Sequence, residues 1–324
     1  MGRLARDLKD CTARPLNLSR GTGIALGMIA SLPLALTFPD ISPDMFTIPV
    51  IGFAVKWYAM AYIAGILGGW MMGRWLVSRP ALWPRDTAPM TRDQVEDVMT
   101  WVVLGIVLGG RIGYVLFYQP GLLLQDPLEI LNLRGGGMSF HGGAIGTGLG
   151  VGIYAWRKGI SVPAIVDIAA LCAPLGLGLG RVANFINAEL WGRPSDAPWA
   201  VIFPGGAAQA CANVGELCAR HPSQLYEAIL EGLVLLVLLW IVALRGGLKT
   251  PGLIFGLFLI GYGAARTFVE YFRQADAQYI TPDNPLGHVV GGSDIGLTMG
   301  QLLSLPMVVA GVVVLLVALR FRRA

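Results

Sequence analysis

The chain has 324 residues, of which 55% are hydrophobic and 14% are Asp, Glu, Lys or Arg, whereas typical globular domains carry about 25% charged residues. So few charges do not cover a water-exposed surface, and so apolar a chain does not stay disordered; a soluble enzyme and a disordered chain are both excluded. What remains is a multi-span membrane protein, and its net charge of +4 is too mild to point to nucleic acid.

The chain opens with Arg3, Arg6, Lys9, Arg14 and Arg20, followed by an apolar run, Ile24–Phe38, interrupted at Pro33. Basic-then-apolar order fits a signal-anchor, which adds an eighth, short span; an interfacial segment or an extension without a role fits equally. Residues 1–40 therefore read as a basic N-terminal extension with an apolar run, and 41–324 as a single multi-span domain.

A membrane-crossing helix needs about 20 mostly apolar residues. Seven segments are predicted: Tyr58–Val77, Val98–Tyr118, Phe140–Trp156, Ala164–Gly180, Leu225–Leu244, Leu253–Tyr271 and Leu302–Leu319, the third and fourth short and glycine-rich. The runs are continuous rather than alternating, and only helices or closed barrels satisfy the backbone in lipid. The expected fold is thus an all-α integral membrane protein with seven transmembrane helices.

Loop charges orient these spans. Arg74, Arg79, Arg85 and Arg92 follow the first; Arg157 and Lys158 the third; Arg245 and Lys249 the fifth; Arg320, Arg322 and Arg323 the seventh. These connections are expected in the cytoplasm, so the loops after spans two, four and six face outward. The largest outward loop is 191–224, with Trp191, Trp199 and several prolines.

Polar groups in or beside apolar spans are costly in lipid and usually line a site. They gather on the outward side. The first group runs Gly135-Gly136-Gly137-Met138-Ser139-Phe140-His141-Gly142-Gly143. A neutral imidazole takes a proton from a thiol or hydroxyl near pH 7, and an interfacial hydrogen-bonding role for His141 competes evenly. Gly142, Gly146 and Gly150 recur every four residues and leave one helix face bare for close packing.

The second group places Arg181, Asn184, Asn187 and Glu189 at the end of an apolar span. Arg181 and Asn184 share a face if the helix continues. A guanidinium, two amides and a carboxylate together suit a polar anionic group; a lone Arg here would only anchor the helix end. In the third group, Tyr262, Arg266, Glu270 and Arg273 fall at i, i+4, i+8 and i+11 and form one stripe. Arg266 and Glu270 neutralise each other as an isolated pair, but two arginines to one glutamate leave positive charge for a ligand. Arg111 is a further charge within a span.

Weaker features follow. Ser223, after Arg220-His221-Pro222, is an expected N-cap, and His221 is read as structural. Asp167 opens the fourth span, where a helix-start role outweighs catalysis. The four cysteines show no C-x-x-C and no zinc spacing with the three histidines, so no metal is expected. Cys172 packs in an apolar run, and Cys211 and Cys218 form a disulfide if their loop faces an oxidising compartment. The sequence holds no P-loop, G-x-S-x-G, H-E-x-x-H or dinucleotide fingerprint, and no cofactor is expected. An arginine cluster at the outer lipid boundary suits a lipid phosphate, with His or Glu for proton transfer.

At these residues the chain resembles the prolipoprotein diacylglyceryl transferases of the bacterial inner membrane. The likeness runs from about Phe38 to the C-terminus. It is carried by Gly109-Gly110-Arg111-Ile112-Gly113-Tyr114, the Gly-Met-Ser-Phe-His-Gly-Gly segment ending at Gly143, Gly180–Arg193, Arg220–Glu227 and Gly261–Gln274. The resemblance implies transfer of the diacylglyceryl group of phosphatidylglycerol to the lipobox cysteine of prolipoproteins, with seven spans and a site near the periplasmic face. It also implies His141, Arg181, Arg266 and Glu189 as catalytic residues, with Arg181, Arg266, Asn184, Tyr58, Tyr262 and Glu270 holding phosphatidylglycerol. Pro282–Asp294 and the first 30 or so residues depart from the family pattern. A transporter or flippase for an anionic lipid is the competing reading, but no internal repeat supports it.

Overall fold

The computed structural model describes residues 35–50, 52–122, 137–210, 217–292 and 295–323. Residues from Leu34 onward group as one unit. Each of the seven expected segments carries a helix: α1 (Trp57–Val77), α2 (Arg92–Tyr118), α3 (Phe140–Lys158), α4 (Val162–Ile186), α5 (Ser223–Leu244), α6 (Leu253–Val269) and α7 (Met299–Arg323). Among the described residues, four helices are long and apolar enough to cross a membrane: α2, α4, α5 and α7 over Met299–Arg320. In α5 and α7, Leu233, Leu238, Leu303, Val309 and Leu316 are exposed. Rows of large apolar side chains facing outward suit a lipid environment.

Several helices extend beyond the predicted bounds, and for α2 and α4 the physical reason is local. α2 starts six residues before Val98 because Thr91 and Gln94 form a capping box. The Thr91 hydroxyl accepts from the Gln94 N–H at 3.2 Å, and the Gln94 side chain accepts from the Thr91 N–H at 2.8 Å. α4 continues past Gly180 through Ile186, because the polar side chains of its last turns find partners on other elements.

The protein is mostly helical, and short strands form in the connections, whose backbone groups need partners. β1 (Leu36–Thr37) pairs parallel with β4 (Val201–Ile202), which pairs antiparallel with β5 (Ala219–Arg220). Two hairpins precede α1 and α7: β2 (Asp44–Ile48) with β3 (Phe53–Lys56), and β6 (His288–Gly291) with β7 (Gly296–Thr298). The 191–224 loop has its own small core, in which buried Phe203 and Val201 pack with Phe38, Phe185 and Trp191.

The main apolar core gathers at one end of the helices, the end with the arginine-rich connections. Leu76, Trp83, Leu171, Leu239, Leu248 and Ile254 are buried there, and the Trp83 indole donates to the Leu76 carbonyl at 3.0 Å. This leaves the opposite end for polar side chains. The glycine face of α3 serves packing: a Cβ on Gly146 or Gly142 would run into the Gly105 or Gly109 carbonyl of α2. The backbones thus approach as closely as small residues allow in lipid.

Asp167 has a helix-start role, but for another helix. Fully buried on α4, it accepts from the N–H groups of Gly252 at 2.7 Å and Phe255 at 2.8 Å, and so caps α6. The start of α4 itself has no side-chain cap. Asp167→Ala leaves two N–H groups without acceptors, and the variant should lose about 3 kcal/mol of stability. Thermal unfolding in detergent checks this; an unchanged melting temperature would refute the capping role.

Ser223 is not the predicted N-cap. It is the first residue of α5, and its hydroxyl donates to the Leu190 carbonyl at 3.1 Å, tying α5 to the turn that follows α4. Cys172 is a free thiol within α4, and Cys218 is disulfide-bonded. Cys211, the N-terminal basic and apolar run through residue 34, Gly135 and Gly136 lie outside the described residues.

Candidate active site

Three helices deliver charged groups to one place. α4 remains helical through Arg181 and Asn184, which puts both on one face. Beyond it, Ala188 and Leu190 adopt left-handed backbone conformations, with φ of 53° and 57°. Such angles are uncommon for residues with a side chain and persist only where the surroundings enforce them. They bracket Glu189. Its carboxylate Oε1 accepts from the Asn184 amide at 2.8 Å and from the Asn187 amide at 3.3 Å. The Gln224 side chain of α5 donates to the Glu189 carbonyl at 2.6 Å.

α5 supplies the centre. Glu227 and Glu231 stand one turn apart where the helix passes into a π segment, Ala228–Val234, and such widened turns recur at functional sites. Glu227 is buried between two arginines: Arg181 Nε lies 2.8 Å from Oε2, and Arg266 Nη1 lies 2.6 Å from Oε1. Arg273 Nε is 3.9 Å from the same carboxylate. Glu231 is fully buried, 4.0 Å from Arg266, and accepts no hydrogen bond among the described residues.

α6 supplies Arg266, whose second nitrogen Nη2 meets Glu270 Oε1 at 2.6 Å. The guanidinium is thereby used as a fork, one prong on α5 and the other on its own helix. Arg273 approaches Glu270 at 3.8 Å, and Thr298 donates to the other Glu270 oxygen at 2.8 Å. Beside this group lies a cavity of about 150 Å³ lined by Arg266, Glu270, Arg273, Asp276, Thr298 and Gly300, among others.

The structure brings Arg181, Arg266 and Glu270 into one network, with Tyr262 and Tyr58 at its margin. Tyr262 lies within electrostatic reach of Arg266, Arg181, Glu227 and Glu231. Tyr58 lies within reach of Glu189 and Arg181, with its hydroxyl 2.9 Å from that of Tyr62. Two expectations are corrected. The surplus of positive charge on the Tyr262–Arg273 stripe is offset, because Arg181, Arg266 and Arg273 face Glu227, Glu231 and Glu270. The four polar groups at the end of α4 also divide: Arg181 turns to Glu227, while the two amides serve Glu189.

Glu227 and Glu231 were not singled out from sequence, although two acids four residues apart in an otherwise apolar run are a legible signal of a polar interior. His141 occupies the first turn of α3, exposed, just after the N-cap Ser139. α3 packs on α2, whereas the arginine–glutamate network stands on α4, α5 and α6.

Several other basic side chains build the frame. Arg111 is buried and donates to the Gly137 carbonyl at 3.2 Å. Arg193 donates to the carbonyls of Arg273 at 2.9 Å and Leu286 at 3.4 Å. Arg220 stacks 4.1 Å from the Trp191 ring and donates to the Ala208 carbonyl at 2.6 Å. Gly192 is threaded between the Phe272 and His221 carbonyls, where a Cβ would meet oxygen at 2.5 and 2.6 Å. His221 rests edge-on against Phe272, and burial pushes its imidazole below the usual histidine pKa.

A family profile described as prolipoprotein diacylglyceryl transferase matches residues 43–317. The chain is 57% identical over 279 residues to the phosphatidylglycerol–prolipoprotein diacylglyceryl transferase of Ruegeria pomeroyi, covering 85% of this chain and 95% of that one. It is 56% identical over 288 residues to the protein of that name in Roseobacter denitrificans, covering 88% and 97%. Against the Rhizobium meliloti protein of the same name, identity is 49% over 285 residues, covering 88% and 94%.

Proposed function

The chain belongs to the prolipoprotein diacylglyceryl transferase family, and from that premise we infer a transfer of diacylglyceryl from phosphatidylglycerol to the lipobox cysteine thiol of prolipoproteins. A thioether forms and glycerol 1-phosphate leaves, the first step of lipoprotein maturation. A transporter would release its lipid unchanged, and family membership sets that reading aside.

The protein lies in the inner membrane as a single domain from residue 41 onward, with seven spans, a periplasmic site and a cytoplasmic C-terminus. The loop charges support this orientation. The observation that carries the chemistry is the convergence of Arg181 and Arg266 on Glu227. Two guanidinium groups from different helices then have one anionic centre between them, and a phosphodiester entering there takes over donors that Glu227 now holds. Neutralising the phosphate makes it a better leaving group. Asn184, Tyr58, Tyr262 and Glu270 complete the lipid site, and Glu189, oriented by two amides, faces the reacting end.

In the reaction, His141 or Glu189 takes the thiol proton and the thiolate attacks the glyceryl carbon. The carbon–oxygen bond to phosphate breaks, and glycerol 1-phosphate departs with that bonding pair. The test is incubation of the purified protein with phosphatidylglycerol and a lipobox peptide, followed by mass spectrometry. The peptide should gain one diacylglyceryl group, and a Cys→Ser peptide none. His141→Gln should slow transfer about 10²- to 10⁴-fold; full activity in that variant would remove His141 from the mechanism.

A further inference from the structure

α7 begins with Thr298-Met299-Gly300-Gln301, a capping box. The Thr298 hydroxyl accepts from the Gln301 N–H at 3.3 Å, and the Gln301 side chain accepts from the Thr298 N–H at 3.1 Å. A capping hydroxyl has one proton of its own, and here it goes outside the helix: Thr298 Oγ1 donates to Glu270 Oε2 at 2.8 Å. Two residues on, a Cβ at Gly300 would run into the Glu270 carboxylate. Thr298, Gln301 and Glu270 are all buried. The start of α7 therefore cradles one oxygen of Glu270 while Arg266 Nη2 holds the other at 2.6 Å.

We propose that Thr298 is a positioning residue for the transfer reaction: with Gly300 leaving room, its hydroxyl fixes the Glu270 carboxylate, which in turn aims the Arg266 fork at the substrate phosphate. The proposal rests on the transferase reading above. Rotation about the terminal carboxylate torsion is broad and has no steep minimum of its own. Without the donated hydrogen bond, Glu270 turns, and the Nη2 prong of Arg266 turns with it. Arg181 and the Nη1 prong of Arg266, the donors now on Glu227, stay available to the phosphate, so lipid still binds, but the geometry needed for phosphate departure is lost. A shift of about 1 Å in such a group costs about 100-fold in rate.

Thr298→Val keeps the shape and removes the hydroxyl. Its kcat for peptide lipidation should fall about 10- to 100-fold, with KM for phosphatidylglycerol changed less than about twofold. Thr298→Ser should restore most of the kcat. Gly300→Ala leaves both capping bonds in place and presses a methyl group on Glu270, so its kcat should fall as well. Gln301→Ala breaks the same capping box without touching Glu270; it should lower the melting temperature as Thr298→Val does and keep kcat within about threefold.

Wild-type kcat in Thr298→Val would overturn the proposal. So would a Gln301→Ala variant as inactive as Thr298→Val, since the loss would then belong to the helix cap. Absence of transfer by the wild-type protein would strike the transferase reading itself, and this proposal with it.

Discussion

Glu227→Ala should inactivate the protein and lower its stability by about 3–5 kcal/mol, the cost of leaving buried charges without their partner. The variant removes the buried carboxylate on which Arg181 and Arg266 converge at 2.8 and 2.6 Å and leaves the two guanidinium groups without it. Glu227→Gln separates charge from shape. It retains the side chain's volume and one acceptor oxygen, so it should fold, with a lower melting temperature. If the arginines take a phosphate, phosphatidylglycerol supplies the missing anion, and it should raise the melting temperature of Glu227→Gln more than that of the wild type. Diacylglycerol, which has no phosphate, should not. An equal response of both proteins to phosphatidylglycerol would place the phosphate away from Glu227.

The second large effect is expected at Arg266. Its two nitrogens reach Glu227 on α5 and Glu270 at the end of α6, both at 2.6 Å. Lysine keeps the charge and loses the planar fork, so one of the two carboxylates goes without its donor. Arg266→Lys should therefore reduce kcat for lipidation about 10²- to 10³-fold, the range found when a donor to developing transition-state charge is removed. Arg193→Lys is the comparison: Arg193 makes hydrogen bonds to the Arg273 and Leu286 carbonyls, where lysine retains a donor. It should perturb stability more than chemistry. Comparable kcat losses in the two variants would show that Arg266 is part of the frame rather than of the reaction.

The polar residues at the end of α4 and along α6 stand out in the sequence because their signal is local. Arg181, Asn184, Asn187 and Glu189 lie within nine positions, and Tyr262, Arg266, Glu270 and Arg273 repeat at helical spacing. The partners of these residues were less legible. Glu227 lies 46 positions after Arg181 and 39 before Arg266 (227 − 181 and 266 − 227), and no periodicity within one helix reports which side chain another helix presents. The stripe on α6 therefore reads as a surplus of arginine when taken alone and as a balanced network once α5 is packed against it. Asp167 is similar. At the start of an apolar run it signals a cap, but the helix it caps is α6, whose N-cap Gly252 lies 85 residues later.

The sequence by itself determined the membrane class, the helical segments, the glycine-lined face of α3 and the family, since these follow from composition, local spacing and several long motifs in order. The tertiary structure alone decided which charges neutralise which, that Arg193 and Arg220 serve as frame, and that the N-terminus of α7 reaches Glu270. A buried charge is stable only beside a partner, and in a bundle of helices that partner sits on a neighbour whose identity and rotation depend on packing.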